Sequence, residues 1–418
     1  MSKRVLVLGA GVAGLAAAFA ARKKGHAVTV ISQGAGASAL GGGAVDDVSW
    51  EERARAARIL GKPVPIAPLA TDVVAFSEAL GLWDLPDESS APPFVATIAG
   101  RLRPCRGRDL GLLDVGALGR GRVLLPRAPR AAWDADALAR TFSDEPFALK
   151  SSLTFEPIDA DVLRFVEEAR FPDGDLAARH DDSGRLGWLA LRLREAIARA
   201  SSLKSEPVVA VLLGSWLGAA RARAAELSTL VGVPVGEALV GVGSAAGLRF
   251  EFGRRELLTR LQVEHIEARG VKLARSGASW ALTRAGERKE AAPLMFDTAI
   301  LATGGLVGGG IVYAPPEHEA DDDMAPRGAV PYALSVDAPV VFRAGARHLD
   351  VVASMQGPEL DTTLWPHGTS PSALEQIGVV VPEAREGQTL FVAGDLAADR
   401  PRTLLSAVVS GLQAGSAG

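Results

Sequence analysis

The start of the chain constrains the fold most, because an apolar run leads there into a glycine turn and then into an alanine-rich helix. The stretch Val5–Ser32 reads VLVLGAGVAGLAAAFAARKKGHAVTVIS. Strand, turn, helix and second strand follow at the spacing of a β-α-β dinucleotide-binding unit. In such a unit Gly9 allows the tight exit from the strand, Gly11 lets the backbone approach a pyrophosphate, and Gly14 lets the helix pack closely on the sheet. We therefore predict that a pyrophosphate binds at the start of this helix.

The end of the second strand departs from the usual pattern. A dinucleotide-binding unit places an acidic residue there to hold the ribose, whereas this chain has Ser32 and Gln33. A hydroxyl and an amide also form hydrogen bonds with ribose, so the sequence predicts a nucleotide without identifying it. The residues assigned to the nucleotide from this unit are Gly9, Gly11, Ala13, Gly14, Ser32 and Gln33.

A loop of small residues, 34–44, follows the second strand. Such a segment is either a plain linker or a surface at which the backbone approaches a flat ligand closely. Its position directly after the β-α-β unit favours ligand contact. The residues assigned to this contact are Ser38, Gly41, Gly42 and Gly43.

The composition limits the classes of function. At 418 residues the chain is expected to form two or three domains. With 45 basic and 49 acidic residues it has no excess positive charge to recruit nucleic acid. A single cysteine, Cys105, excludes a disulfide framework, a CxxC redox pair and a cysteine-ligated iron–sulfur cluster within this chain. Any electrons that the protein transfers must therefore pass through another group.

The longest apolar run predicts a buried strand and a turn. It covers 208–220, about 13 residues, fewer than the ~20 that a membrane-spanning helix needs. The chain begins directly with the first predicted strand, so we expect neither a secretion signal nor an integral membrane segment. These features predict a cytoplasmic protein, and they leave open a peripheral attachment to the inner face of the cell membrane through a partner.

The later half of the chain contains two more motifs in which a strand ends in small residues. Residues 296–305 read FDTAILATGG, which places small residues where a parallel sheet meets a nucleotide. Residues 388–395 read QTLFVAGD, which brings a glycine and a carboxylate to the end of another strand. A carboxylate accepts hydrogen bonds from a sugar-alcohol chain, which a flavin has and a nicotinamide lacks. The residues assigned to the cofactor from these motifs are Ala302, Thr303, Gly304, Gly394 and Asp395.

The positions of the three motifs predict how the chain is divided. We expect an α/β fold in which a Rossmann-like FAD/NAD(P)-binding domain is assembled from both chain ends. Its N-terminal part is residues 1–131, and its C-terminal part, which also carries substrate or cap hairpins, is residues 236–418. An α/β domain, residues 132–235, is inserted between them. Within the C-terminal part, residues 255–267 are predicted to form one helix.

Two further groups of residues leave alternatives open. Arginines crowd residues 82–131 and form either a surface for an anionic substrate or acidic partner, or ordinary solvated charge. His348 and His367 are each either an acid–base group or a structural histidine. No catalytic base and no metal site is assigned.

The order of the motifs, GAGVAG at the start, AILATGG later and LFVAGD near the end, resembles that of the two-dinucleotide-binding-domain (glutathione reductase-like) flavoproteins. Within that superfamily the chain resembles the second flavin-containing subunit of the anaerobic glycerol-3-phosphate dehydrogenase, which accompanies the catalytic one. The loop SALGGGAVDD, the non-acidic Ser32, the segment EPVVAVLLGSWLGAA and residues 377–380 carry this closer resemblance. One departure is the loop 397–403, AADRPRT, whose charged and bulky residues are expected to narrow the flavin pocket.

The resemblance implies a flavin-dependent oxidoreductase subunit that works with a catalytic flavoprotein subunit and an iron–sulfur membrane-anchor subunit. Such a complex oxidises glycerol 3-phosphate to dihydroxyacetone phosphate and passes the electrons to quinone. The pyrophosphate site favours FAD as the cofactor and the unusual ribose position favours FMN, so both remain open. Two alternatives are a stand-alone FAD-dependent oxidase or dehydrogenase of a small amine or hydroxy acid, and a non-catalytic scaffold subunit.

Overall fold

The structure is a computed structural model of the chain. It describes residues 2–34, 36–45, 69–87, 90–268, 270–284, 292–305, 307–310, 333–337, 341–344, 377–381 and 389–418. His348 and His367 lie outside the described residues, so the alternatives stated for them stay predictions.

Short strands make up much of the described chain. They are β1 Arg4–Leu8, β2 Ala27–Ser32, β3 Ala44–Val45, β4 Trp83–Asp84, β5 Phe94–Ala96, β6 Leu102–Pro104, β7 Gly107–Asp109, β8 Gly121–Pro126, β9 Leu153–Ile158, β10 Val208–Leu213, β11 Val235–Glu237, β12 Glu264–Glu267, β13 Gly270–Ser276, β14 Ser279–Arg284, β15 Leu294–Phe296, β16 Thr298–Leu301, β17 Ala333–Asp337, β18 Val341–Ala344, β19 Ile377–Val380 and β20 Leu390–Val392.

Helices alternate with these strands. The α-helices are α1 Val12–Lys23, α2 Thr71–Leu80, α3 Ala135–Ser143, α4 Pro146–Ser151, α5 Asp173–Arg179, α6 Ser183–Leu203, α7 Ala224–Val231, α8 Ala245–Arg260 and α9 Leu404–Ala417. Single 3-10 turns occur at Gly36–Leu40, Val115–Ala117, Val166–Arg170 and Gly394–Leu396.

The described residues form two compact units. Unit 1 combines Met1–Ser38 with Arg254–Gly418, and unit 2 is Ala39–Gly253. The predicted α/β class with parallel sheets is confirmed. Both chain ends contribute to unit 1. The predicted domain boundaries at 131/132 and 235/236 both fall within unit 2, and the three-part division into domains stays a prediction.

Unit 1 is organised around a five-stranded parallel sheet with the order β12-β2-β1-β16-β20. Its central strand, β1, is buried from Val5 to Leu8 because RVLVL is apolar on both faces. This pattern is typical of a parallel strand covered on both sides. The sheet continues from β1 to β2 in one direction and to β16 in the other, and ligands bind at the carboxyl ends of strands where the order reverses in this way.

Helices α1 and α9 of unit 1 pack against each other at close range. A Cβ atom at Gly411 would lie 2.2 Å from the carbonyl oxygen of Ala13, and one at Gly415 would lie 2.1 Å from that of Ala17. Both distances are too short for real atoms, so the two glycines allow the helix backbones to touch. Helix α1 is correspondingly rich in alanine and buried over nearly its whole surface, which is typical of a helix enclosed in a core.

We expect Gly415→Ala to destabilise unit 1 by about 2 kcal/mol, because the added methyl group overlaps a backbone oxygen that moves only with its helix. Gly187→Ala is the matched control, since Gly187 lies in α6 with nothing within 4 Å of an added Cβ. Alanine there should stabilise the protein by up to ~1 kcal/mol through helix propensity. Equilibrium unfolding in denaturant measures both changes. Equal midpoints for the two variants would contradict the close packing of α1 on α9.

The helix predicted over residues 255–267 is wrong at both ends. Helix α8 begins earlier, at Ala245, and ends at Arg260. Gln262 then adopts φ 54°, a left-handed conformation that ends a helix. Residues Glu264–Glu267 form β12, which pairs in parallel with β2. Pairing with a distant strand therefore decides the conformation of this segment.

Unit 2 contains a second parallel sheet, with the order β11-β10-β8-β9. Strand β8 is buried at every residue, and β10 is the strand predicted from the longest apolar run. Leu138 and Phe142 of α3 and Leu189 and Leu193 of α6 belong to the apolar core around this sheet. Strands and helices alternate around this sheet, and because β8 lies before residue 132, the inserted α/β domain at 132–235 stays a prediction.

The buried arginines of residues 82–131 stabilise unit 2. Arg106 donates to the carbonyl oxygen of Pro86 at 2.6 Å. Arg122 pairs with Glu156 at 3.1 Å and also donates to two main-chain carbonyls. Neither alternative stated for this cluster, a ligand surface or solvated charge, describes these two residues.

Candidate functional site

A cavity of about 410 Å³ lies at the carboxyl edge of the unit 1 sheet, and we call it the edge cavity. It forms where β1, β2, β16 and β20 end, which is where a parallel sheet binds its ligands. Its volume is within the ~300–1,000 Å³ that is typical of small-molecule sites. The lining consists of residues 9–13, 32–34, 36–38, 302–304, 308, 394–395, 402–404 and 407.

The turn after β1 and the first turn of α1 each accept only glycine at one position. Gly9 adopts φ 111°, and a Cβ atom there would lie 2.1 Å from the carbonyl oxygen of Ala302. A Cβ atom at Gly14 would lie 2.0 Å from the carbonyl oxygen of Gly9. The turn therefore packs between the end of β16 and the first turn of α1. Its residues line the edge cavity.

The N-terminus of α1 opens into the edge cavity and has no acidic residue in its first turn. Gly11 is the N-cap residue and brings no capping side chain, while the N–H of Val12 donates to Ser38 Oγ at 3.0 Å. The other free N–H groups of the first turn and the positive end of the helix dipole favour an anion. Ser38 therefore lies at the helix end of the cavity.

A second helix N-terminus lines the same cavity. Thr403 is the N-cap residue of α9, and its Oγ1 accepts a hydrogen bond from the N–H of Ser406 at 3.1 Å. The first turn of α9 also lacks acidic residues. Because two positive helix ends meet at one cavity, the site suits an elongated ligand with more than one electron-rich group.

Asp395 and Arg402 bring opposite charges to the edge cavity. Asp395 follows β20 in the 3-10 turn Gly394–Leu396, and Arg402 precedes α9. The Arg402 guanidinium donates through Nη1 to the main-chain carbonyl of Asp395. Burial raises the pKa of the Asp395 carboxyl group, and the charge of Arg402 opposes this rise. The cavity thus offers an acceptor for hydroxyl groups and a cation for an anionic group.

We expect Asp395→Asn to stabilise the cofactor-free protein at neutral pH. Burial raises the folded-state pKa of the Asp395 carboxyl group, whereas its unfolded pKa is ~4. The contribution of this group to the free energy of unfolding is therefore fully present below the unfolded pKa. It is lost as the pH rises through the folded-state pKa. The gain of the variant over the wild type should therefore disappear in acid. Equilibrium unfolding at neutral and acidic pH measures this difference. A gain that is independent of pH would contradict a buried, ionised carboxylate at this position.

The end of β2 brings a histidine to the edge cavity that sequence reasoning missed. Ser32 is only 2% exposed, and its Oγ lies 2.9 Å from Nε2 of His265 on β12. Gln33 and Gly34 continue the lining after Ser32. His265 was missed because its segment was predicted to be helical.

The structure brings most of the predicted cofactor-binding residues together. Gly14 does not line the edge cavity but packs behind the turn, against the carbonyl group of Gly9. The role of each residue toward a cofactor stays a prediction. The predicted residues that line the edge cavity are Gly9, Gly11, Ala13, Ser32, Gln33, Ser38, Ala302, Thr303, Gly304, Gly394 and Asp395.

Three predicted residues, Gly41, Gly42 and Gly43, belong to unit 2 and are not part of this lining. Within unit 2 a Cβ atom at Gly42 would lie 1.8 Å from the carbonyl oxygen of Val240, and Gly43 adopts φ 100°. Close backbone packing at Gly42 and the positive φ at Gly43 therefore require glycine at these two positions. The contact of these three glycines with a flat ligand stays a prediction.

The loop 397–403 was expected to narrow the pocket, and the structure shows where its two arginines go. Arg400 donates to Gln413 Oε1 of α9 at 3.4 Å, whereas Arg402 lines the edge cavity. Sequence reasoning did not assign Arg402, Thr403 or Leu404 to the site. The signal was a threonine followed by an apolar helical run, which is typical of an N-cap.

The residues of the edge cavity fit FAD. The turn accepts no Cβ atom at Gly9, two helix N-termini are free of acidic residues, and Asp395 supplies an acceptor for hydroxyl groups. These are the features that a pyrophosphate and a sugar-alcohol chain need. The site is therefore that of a flavin-binding protein.

A comparison with protein families agrees that the chain is a flavin-binding protein. Residues 4–159 match the DAO family, described as FAD dependent oxidoreductase. The chain is a flavin-dependent oxidoreductase, and FAD is its cofactor. No curated protein matches the chain as a whole or in part.

Several solved structures are similar to this chain at low identity. They include CtdE in complex with FAD (10% identity, TM-score 0.32, covering 100% of this chain and 83% of that one). Wild-type putrescine oxidase bound to putrescine has 14% identity and a TM-score of 0.29, covering 100% and 99%. Cyclohexylamine oxidase from Brevibacterium oxydans has 13% identity and a TM-score of 0.29, covering 100% and 98%.

Within the part of the chain that the structure describes, no helix combines the length and the apolar character needed to cross a membrane.

Proposed function

We propose that this chain is a flavin-containing subunit of a glycerol-3-phosphate dehydrogenase complex, which oxidises glycerol 3-phosphate to dihydroxyacetone phosphate and passes the electrons to quinone. The observation that carries the flavin part of this proposal is the edge cavity, where the GAGVAG, AILATGG and LFVAGD motifs meet. The loop SALGGGAVDD and the non-acidic Ser32 support the closer assignment to the subunit that accompanies the catalytic one.

The residues of the edge cavity would hold FAD through four kinds of contact. The N–H groups at the start of α1, after Gly11, would bind the pyrophosphate. Ser32 and Gln33 would lie toward the ribose, and Thr303 and Gly304 along the edge of the nucleotide. Asp395 would accept hydrogen bonds from the sugar-alcohol chain.

The chemistry of the reaction belongs to the cofactor, and the protein tunes it. Bound FAD supplies a two-electron acceptor for the oxidation of an alcohol. Arg402 and the N-terminus of α9 place positive charge in the edge cavity, which stabilises negative charge on a bound group. Asp395 is half-buried, and its carboxylate would accept hydrogen bonds from the bound group.

The proposal includes two partners, a catalytic flavoprotein subunit and an iron–sulfur membrane-anchor subunit. The chain has a single cysteine, Cys105, which is fully buried in unit 2. Because a cluster needs several thiolates, the clusters that carry electrons onward would belong to a partner. The complex would then lie at the inner face of the cell membrane.

The experiment that tests the proposal uses the assembled three-subunit complex and the isolated chain. The flavin released on denaturation is identified by mass, and glycerol 3-phosphate is added without oxygen. We expect the flavin released from this chain to be FAD. We also expect glycerol 3-phosphate to bleach the flavin absorbance and to lead to quinone reduction in the assembled complex but not in the isolated chain. In a complex carrying Gly11→Leu, assembly should persist while FAD is lost from this subunit.

Other outcomes would replace the proposal. Turnover of a small amine or hydroxy acid by the isolated chain would favour a stand-alone oxidase or dehydrogenase. A chain that takes up neither FAD nor FMN, yet assembles with its partners, would be a scaffold subunit. A Gly11→Leu complex with undiminished activity would contradict a functional flavin in the edge cavity.

A further inference from the structure

We propose that His265 is a positioning residue for the adenosine ribose of FAD and acts through Ser32. In this view the Ser32–His265 pair takes the place of the carboxylate that a dinucleotide-binding unit usually has at the end of its second strand. The inference rests on the placement of FAD in the edge cavity, as in the proposed function, but it does not depend on the substrate.

Strand pairing brings the two residues together. In the parallel pair of β2 and β12, Val30 is in register with His265, and Ser32 is in register with Glu267. Residues two apart in a strand share a face, so His265 and Ser32 lie on the same face of the sheet. The N–H of Ala268 donates to the carbonyl of Ser32 at 3.2 Å, which extends the pairing to the edge of the cavity.

The hydrogen bond between these side chains is short and shielded. Ser32 Oγ and His265 Nε2 are 2.9 Å apart, Ser32 is nearly buried, and it lines the edge cavity. A hydroxyl group in such a place needs a partner, since an unpaired buried polar group is costly. His265 Nε2 is the partner of this hydroxyl group, and in the tautomer in which Nε2 accepts, it fixes the direction of the O–H bond.

The direction of the hydroxyl group determines what Ser32 offers to a ribose. A carboxylate only accepts hydrogen bonds, whereas a serine hydroxyl both donates and accepts. When His265 Nε2 accepts the Ser32 O–H, the two lone pairs of Oγ remain for the ribose hydroxyl groups. The pair then presents an acceptor toward the ribose, as a carboxylate would, without placing a negative charge there.

Glu267, the acidic residue at the end of β12, is the natural competitor for this role. Glu267 is in register with Ser32, but it is exposed and does not line the edge cavity. Its replacement therefore serves as a control for the general effect of charge near the site.

The test measures the affinity of cofactor-free protein for FAD and for FMN by quenching of flavin fluorescence. FMN has no adenosine, so it reports on the rest of the site. We expect His265→Leu and Ser32→Ala to weaken FAD binding roughly five- to tenfold, the effect of one hydrogen bond, and to leave FMN binding unchanged. His265→Gln keeps an acceptor and should bind FAD as the wild type does.

Two further variants complete the test. Ser32→Asp supplies acceptors of its own, so adding His265→Leu to it should have no further effect on FAD affinity. Glu267→Gln should leave both affinities unchanged. Circular dichroism confirms that each variant keeps its fold.

Several results would overturn the proposal. It fails when His265→Leu changes neither affinity, when it weakens FAD and FMN equally, or when His265→Gln does not restore FAD binding. It also fails when Glu267→Gln, rather than His265→Leu, selectively weakens FAD. A wild-type chain that binds neither flavin overturns the proposed function as well, whereas normal FAD binding with an unaffected His265→Leu variant overturns this inference alone.

Discussion

Replacing Gly9 by alanine is expected to destabilise unit 1 by at least about 3 kcal/mol and to abolish FAD binding. The new Cβ atom would lie 2.1 Å from the carbonyl oxygen of Ala302, and the residue would have to keep φ 111°. The Ala302 oxygen has little freedom to retreat, because β16 pairs with β1 in register up to Leu301 opposite Leu8. The clash therefore separates the two strands whose ends form the edge cavity.

Gly25→Ala is the matched control for this prediction. Gly25 also has a positive φ, 82°, but an added Cβ atom would meet nothing within 4 Å. Its replacement should cost about 1 kcal/mol through backbone conformation alone and leave FAD bound. Equilibrium unfolding and the flavin absorbance of the purified proteins measure both effects. Similar losses in the two variants would show that backbone conformation, rather than contact with Ala302, makes Gly9 necessary.

The β-α-β unit could be predicted because its signals are local. The apolar strand, the glycine turn and the alanine-rich helix occupy adjacent positions, and each favours its structure without help from the rest of the chain. Strand β1, helix α1 and strand β2 were found where they were expected.

The contribution of the later motifs was predicted from topology. Residues 302–304 and Asp395 follow strands, and the carboxyl ends of parallel strands meet at one edge of a sheet. The structure brings both groups to the cavity at the end of β1. A general rule for parallel sheets was enough here, although these residues are far from Gly9 in the chain.

The positions of His265 and Arg402 could not be predicted in this way. His265 is 233 residues from Ser32 in sequence, and its segment had no local signal that outweighed the helical pattern before it. Arg402 follows Pro401 directly and lies two residues before the start of α9, which places it at the cavity. The position of His265 depends on long-range strand pairing that a single sequence does not reveal. For Arg402 the local signal was the N-cap Thr403, which was not used.

Replacing Arg249 by methionine is expected to cost unit 2 about 3–5 kcal/mol, the effect of breaking a buried ion pair by removing one partner. Arg249 Nη2 donates to Asp109 Oδ1 and Glu237 Oε2, each at 2.6 Å, and Nη1 donates to the carbonyl of Gly218 at 2.7 Å. The three charged side chains are at most 3% exposed. Without the guanidinium group, two buried carboxylates would face each other unpaired.

The cost should depend on pH in a defined direction. Burial already raises the pKa of Glu237, and the charge of Arg249 opposes that rise. In the Arg249→Met variant the positive charge is absent, so the folded-state pKa of Glu237 rises further. A carboxylate with a raised folded-state pKa contributes its stability below the unfolded pKa and loses it as the pH rises. The difference between variant and wild type should therefore be largest at neutral pH and should shrink in acid.

Arg127→Met is the matched control, because Arg127 also joins two carboxylates but lies at the surface. It pairs with Asp136 at 2.8 Å and with Asp159 at 2.9 Å, and its side chain is 43% exposed. Water replaces these contacts, so the variant should unfold close to the wild-type midpoint. Equilibrium unfolding of both variants across pH measures the contrast. Equally small effects for Arg249→Met and Arg127→Met would mean that water reaches the buried carboxylates, and that burial does not make Arg249 essential to unit 2.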